Sequence, residues 1–324
     1  MPHRGPSVRT LLARAGALAA LLAAGVLIAG TVPASAATRA TAAAPATAAH
    51  HGQRPAYYVA LGDSLAQGVQ PATAPLPPGT TLGESIETDQ GYANDLYKHY
   101  QREFPGSLRL VKLGCPGETT TSMLTGAGSP CTYKQGSQLN QALAFIKAHR
   151  SEVTLITIDI GANNVDGCAT ATGINQACVA SGFAAAKHDL PLILGALRRA
   201  AGQRTVIAGM NLYDPFLADY LTGKAGQALA TASVTLGEQY NELIDGSYKA
   251  FGVAAADVQD AFSTTDFSDT GSLPGVGAVP VNVERICDWT WMCAPAPVGP
   301  NIHANAVGYQ VIACAFDRAI GRLR

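Results

Sequence analysis

This chain has no surplus of positive charge. Its 22 lysines and arginines stand against 23 acids, so nothing supplies the basic face that binds phosphates, and nucleic acid is not expected as a partner. Metal-binding patterns are missing too. There is no C-x-x-C pair and no H-E-x-x-H segment, which leaves a zinc site without support, and neither metal nor cofactor is expected. No repeat recurs along the chain and nothing marks a second folded domain.

Long apolar runs are also scarce. The longest, residues 15–32, is rich in Ala and Gly and barely long enough to span a bilayer. Arg4, Arg9 and Arg14 precede it, and Ala34-Ser35-Ala36 follows as an A-x-A cleavage site. A basic start, a short apolar core and small residues before a cut describe a signal peptide over residues 1–36 rather than a membrane anchor. No stable membrane span is expected after cleavage, and the product should be secreted and extracellular. Residues 37–54, mostly Ala and Thr, read as a flexible leader. Residues 55–324 are long enough for one large domain with a full core. Without the first 36 residues the formal charge falls to about −4.

All seven cysteines lie in the exported part, where disulfides form. Three pairs are close in sequence: Cys115 with Cys131, Cys168 with Cys178, and Cys287 with Cys293. Sequence leaves the connectivity open, but each pair would staple a local loop. Cys314 is left over. It falls beside Val307 and Val311 on one side of the last helical pattern, so a buried free thiol is expected.

Apolar runs at residues 57–61, 108–113, 153–160, 205–208 and 252–258 read as strands buried on both faces. Helical patterns at 92–103, 137–149, 183–200, 225–250 and 305–323 fall between and after them. Such alternation implies right-handed crossovers and a mostly parallel sheet with helices on both sides. Residues 70–90 and 263–300 break the rhythm with Pro, Gly and little periodicity, and are expected as irregular walls of a substrate cleft.

In an open parallel sheet, ligands bind beyond the carboxyl ends of the strands. Four blocks occupy such places. Gly62-Asp63-Ser64-Leu65 follows the first run. Gly114-Cys115-Pro116-Gly117-Glu118-Thr119-Thr120 follows the second, and Gly161-Ala162-Asn163-Asn164 the third. Pro300-Asn301-Ile302-His303 precedes the last helix. Together they bring a hydroxyl, a glycine amide, a side-chain amide and an imidazole to one sheet edge, the parts that acyl transfer from an ester needs. The other histidines are elsewhere: His3 in the signal, His50 and His51 in the leader, and His99, His149 and His188 in or at the ends of helices.

The four blocks, in this order over residues 57–312, resemble the Ser, Gly, Asn and His blocks of the SGNH (GDSL-type) hydrolases. That resemblance implies a three-layer α/β/α flavodoxin-like fold and a serine ester hydrolase acting on lipid, acyl or aryl esters, small-molecule or lipid in kind, or on acetylated sugars. It implies Ser64 as nucleophile and His303 as its base. The backbone N–H of Ser64, the N–H of Gly117 and the side-chain amide of Asn163 would form the oxyanion hole. Asp63 reads as a brace of the turn.

One position departs from the family. Three residues before the histidine, where many members carry an orienting Asp, stands Pro300. The imidazole needs only an acceptor for its Nδ1–H. The candidates are the main chain or side chain of Asn301, a carbonyl within residues 289–300, and the remote carboxylate Asp288. A Ser64–His303 dyad is therefore expected. Apolar Trp289, Trp291 and Met292 in the long loop favour acyl or aryl esters over the alternative of a carbohydrate-ester deacetylase. The missing Asp is the one argument for a third reading, a non-catalytic secreted binding protein on the same fold.

Overall fold

The five apolar runs form one parallel sheet, each strand within two residues of its expected bounds. The computed structural model describes residues 55–170 and 173–323; the signal and leader assigned to residues 1–54 lie outside the described residues. The strands are β1 (Ala56–Gly62), β2 (Leu108–Lys112), β3 (Val153–Asp159), β4 (Val206–Met210) and β5 (Ala254–Ala256). They lie side by side in the order β2-β1-β3-β4-β5, every pair parallel. This is the flavodoxin-like order, whose topological switch point lies between β1 and β3.

The helices, in chain order, are α1 (Ser64–Gln67), α2 (Tyr92–Tyr100), α3 (Thr120–Thr125), α4 (Gln138–Ala148), α5 (Gln176–Ala201), α6 (Lys224–Ala250), α7 (Val258–Ala261), α8 (Val281–Trp289) and α9 (Ala306–Ile320). Successive strand residues point to opposite faces, and both faces are covered. Tyr58, Ala60, Leu155 and Met210 pack with Leu96 of α2 and with Tyr309, Ile312 and Phe316 of α9. Val59, Leu61, Ile156, Ile158 and Ile207 pack with Ile146 of α4, Ile193 and Leu197 of α5, and Ile244 of α6. Each such Leu, Ile or Phe stabilises the fold by about 1.5–3 kcal/mol relative to an exposed one. The result is the expected three-layer α/β/α arrangement. Among the described residues no helix is long and apolar enough to cross a membrane.

Disulfides join Cys115 to Cys131, Cys168 to Cys178 and Cys287 to Cys293. Two expectations need correction. Cys314 is exposed, as is its neighbour Val307 at 51 %. The apolar stripe through Val307, Val311 and Cys314 is not the one α9 turns inward; that face is Gly308, Tyr309, Ile312, Ala315 and Phe316. The segment 263–300 is not irregular throughout. It contains α8 and a hairpin of Thr270–Leu273 with Gly277–Pro280. α8 buries Asn282, Val283 and Ile286.

Candidate active site

β1 ends in Gly62, whose φ of 132° suits glycine alone, and a Cβ there would fall 2.0 Å from the Asp159 carbonyl oxygen. The side chain of Gln138, at the start of α4, grips this residue from both sides. Its Oε1 accepts from Gly62 N–H at 2.7 Å, and its Nε2 donates to Gly62 O at 2.9 Å. The chain then turns sharply into α1. Asp63 caps that helix, its Oδ1 accepting from Leu65 N at 3.0 Å, as expected of a brace. Ser64 opens α1 with only 8 % of its surface exposed.

His303 arrives from the far end of the sequence. It lies in the short strand Asn301–Ala304, paired antiparallel with Thr290–Trp291, just before Asn305 caps α9 through Val307 N and Gly308 N. Tyr213, beyond β4, donates from its hydroxyl to Ile302 O at 2.7 Å and fixes this strand against the sheet. His303 Nε2 and Ser64 Oγ are 2.8 Å apart. On the other side of the ring, Nδ1 lies 2.6 Å from Asn301 Oδ1, which also accepts from His303 N at 3.0 Å. An amide oxygen can only accept, so Nδ1 carries the proton and Nε2 is left to accept from the serine. Among the candidates for orienting the ring, the side chain of Asn301 is the one in place. Asp288 instead offers its backbone carbonyl to Asn305 Nδ2 at 2.7 Å. Burial lowers the His303 pKa to about 4.

Asn163 sits in the 3-10 turn Ala162–Asn164 after β3, across the switch point from Ser64. Its Nδ2 donates to Glu118 O at 3.0 Å and to Asp63 Oδ2 at 3.3 Å. Ser64, Asn163 and His303 line one cleft together with Asp63, Leu65, Ala162, Asp166, Leu212, Tyr213, Pro215 and Ile302. Gly117 is on the neighbouring loop and outside that lining. Its φ is 83°, and the loop is secured on three sides. Asn163 binds the next residue's carbonyl. Asn164 clasps Thr120, accepting from its N–H at 3.0 Å and donating to its Oγ1 at 2.8 Å. The Cys115–Cys131 bridge closes the base.

The cleft walls differ from expectation. They come from residues 162–166 and 212–215, not from the two long loops. Trp289 packs edge-on against Phe262, with ring centroids 5.2 Å apart. Trp291 donates to Gln70 Oε1 at 3.3 Å and lines a separate groove, and Met292 packs on the α9 side of the core. Leu212, Tyr213, Pro215 and Ile302 form the apolar wall instead. The 70–90 loop reaches the site indirectly, where Ser85 Oγ accepts from Asn301 Nδ2 at 3.3 Å.

Sequence reasoning missed Asp159. It ends β3, and its Oδ2 accepts from Asp63 N and Ala66 N, each at 3.2 Å, while Tyr92 donates to Oδ1 at 2.5 Å. The turn that carries Ser64 thus hangs on a carboxylate. A lone acid inside an apolar strand run was the available signal. Burial first, then the nearness of Asp63, pushes the Asp159 pKa up. Asp166 was missed as well; burial, then Asp63 and Asp214, raises it to about 8.

Residues 60–311 match the model of the GDSL-like lipase/acylhydrolase family. No curated protein sequence matches the chain. Among solved structures, an extracellular lipase from Streptomyces rimosus aligns with a TM-score of 0.51 at 19% identity, over 82% of this chain and 99% of that one. The lipase Lip_vut3 from a goat rumen metagenome aligns at 0.48 and 16% identity, over 83% and 100%. An acetylxylan esterase from Geobacillus stearothermophilus aligns at 0.45 and 14% identity, over 84% and 97%.

Proposed function

The chain belongs to the GDSL-like lipase/acylhydrolase family, which makes it a carboxylic ester hydrolase, and from that premise we propose that it cleaves acyl esters outside the cell through a Ser64–His303 dyad. The observation that carries this reading is the 2.8 Å contact between His303 Nε2 and Ser64 Oγ, inside a cleft that Asn163 also lines.

In the first step Ser64 Oγ attacks the ester carbonyl carbon while its proton passes to His303 Nε2. The negative charge on the carbonyl oxygen is met by the N–H groups of Ser64 and Gly117 and by Asn163 Nδ2. A single well-placed donor of this kind contributes roughly 2.7–4 kcal/mol to the transition state. Asn163 can give up its longer bond, 3.3 Å to Asp63, and keep the one to Glu118. The bond to the alcohol oxygen then breaks as His303 returns the proton to it, leaving acyl-Ser64. Water attacks the acyl carbon, gives its proton to His303, and the acid leaves as Ser64 recovers that proton. Asn301 holds the ring in the tautomer both steps require.

The apolar wall of Leu212, Tyr213, Pro215 and Ile302 supports an acyl rather than a carbohydrate preference. The signal-like residues 1–36, the three disulfides and the extracellular origin of the S. rimosus lipase support secretion, and a secreted product beginning at Ala37 is what that reading requires. A panel of p-nitrophenyl esters of increasing acyl length beside acetylated sugars tests the function. The expected result is cleavage of the p-nitrophenyl esters in preference to the sugars, with kcat falling by about 10³-fold or more in Ser64→Ala. Cleavage of the sugar acetates alone would reject the acyl preference.

A further inference from the structure

Next to the Ser64 cleft the fold opens a second pocket of about 640 Å³, counted out to its mouth, an ordinary size for a small-molecule site. The two meet at Asp166, Leu212, Tyr213 and Pro215, which line both. Val179, Phe183 and Leu236 give the second pocket apolar sides. The Cys168–Cys178 bridge ties down the segment in which Ala169 pairs with Ile174, another part of the lining. Several polar groups of the lining are already paired. Asn241 takes both backbone groups of Leu212, at 2.9 and 2.8 Å, and donates to Gln259 Oε1 at 2.6 Å. Tyr240 donates to Gly161 O at 3.0 Å. A hydrocarbon needs no bond from any of them.

One wall is built by α6. Ser233, Leu236, Gly237, Tyr240 and Asn241 all line the pocket, and spacings of three and four put them on one face of the helix. Gly237 lies near the middle of that face and near the middle of the 27-residue helix. Glycine weakens a helix interior relative to alanine, and no crowding demands it here. A Cβ on Gly237 would meet no atom within 4 Å, whereas one on Gly226 of the same helix would fall 1.9 Å from the Asp219 carbonyl oxygen. Packing explains Gly226 and does not explain Gly237. What the missing side chain provides is room on the pocket side of α6.

The acyl arm of the ester is the one that suits this room. The leaving alcohol must lie beside His303 Nε2, which returns its proton, and His303 lines the Ser64 cleft but not the second pocket. The acyl arm stays on Ser64 through both steps and can remain in a partly enclosed space. We propose that the second pocket takes an unbranched apolar acyl chain and that Gly237 sets the length it accepts. The inference rests on the ester-hydrolase reading and adds a specificity-determining residue to it.

The test is kcat/KM along two series of esters: p-nitrophenyl esters of linear acids from two to sixteen carbons, and butyrate esters of linear alcohols of increasing length. In the wild type each methylene added to the acid should raise kcat/KM about two- to fourfold until the pocket is filled. Gly237→Leu should shorten the best chain and lower its ratio to acetate at least about tenfold, and Gly237→Ala should lower that ratio about two- to fourfold. The alcohol series should keep its profile in both variants. Each substitution introduces a stronger helix former, so neither variant should melt below the wild type, and reading ratios within one protein cancels any general loss of activity. Cleavage of acetate with no rise along the acids would overturn this inference alone. So would an acid profile that both variants leave unmoved, or an equal change along the alcohols. A folded wild type that cleaves no ester would overturn the reading beneath it as well.

Discussion

An amide oxygen can hold an imidazole in one tautomer, but it cannot stabilise the ring's positive charge as a carboxylate does. At His303 the acceptor is Asn301 Oδ1, 2.6 Å from Nδ1, and burial takes the ring's pKa down to about 4. In the proposed dyad the base must be neutral to take the proton of Ser64, so a lowered pKa keeps it competent further into acid. The acid limb of kcat/KM should therefore lie well below the ordinary histidine range near 6.5. Asn301→Asp places a carboxylate against Nδ1 and should move that limb up by roughly 1–3 pH units. A pH–rate profile for the two proteins checks this, and an unmoved limb would show that Asn301 does not govern the ring. Ser64, Asn163 and His303 were legible because each is a polar residue where an apolar run ends or a helix begins. The choice of Asn301 side chain over its main chain was not, since both lie two residues from the histidine and only their orientation separates them.

Among the elements, the loop after β2 carries the most constraint. The Cys115–Cys131 bridge spans 16 residues, and in the loop-entropy account such a closure stabilises by about 3 kcal/mol. Cys115→Ser with Cys131→Ser should lower the melting temperature by several degrees. If Gly117 serves the proposed oxyanion hole, the double variant should also lower kcat more than it raises KM, because such a loop acts on the transition state rather than on ground-state binding. Calorimetry and steady-state kinetics on the double variant measure both, and unchanged kcat would remove the bridge from any part in catalysis. The five strands were readable from their β-branched and apolar runs. The hold of Gln138 and Asp159 on the Ser64 turn was not, because both act on backbone atoms about 76 to 96 residues away in sequence. A pairing of that reach leaves no local pattern.

Across the whole molecule, buried carboxyl groups dominate the response to pH. Burial raises Asp214 to about 6 and Asp166 to about 8, and it pushes Asp63 and Asp159 upward as well. A carboxyl whose folded pKa exceeds its unfolded value binds its proton more tightly when folded. Its contribution is complete below the unfolded value near 3.8 and is lost as pH rises through the folded one. His303 works in the opposite sense, since its lowered pKa costs stability below about 6.5, but the raised carboxyls outnumber it. Stability should fall as pH rises from about 5 to about 8.5. Melting temperatures across that range test the point, and a rise over the same interval would mean that these acids are paired or hydrated in the folded protein. The cleft walls belong to this scale too. Residues 162–166 and 212–215 follow different strands, and only the sheet order brings them together, so the sequence pointed instead to the two loops with the most irregular composition.

The most direct test of a Ser64–His303 dyad is the intact mass of the protein after treatment with a fluorophosphonate at neutral pH, followed by mapping of the modified peptide. The account predicts one adduct on Ser64, absent from Ser64→Ala and formed far more slowly in His303→Ala. A folded wild-type protein that takes no label and cleaves no short-chain p-nitrophenyl ester would contradict it.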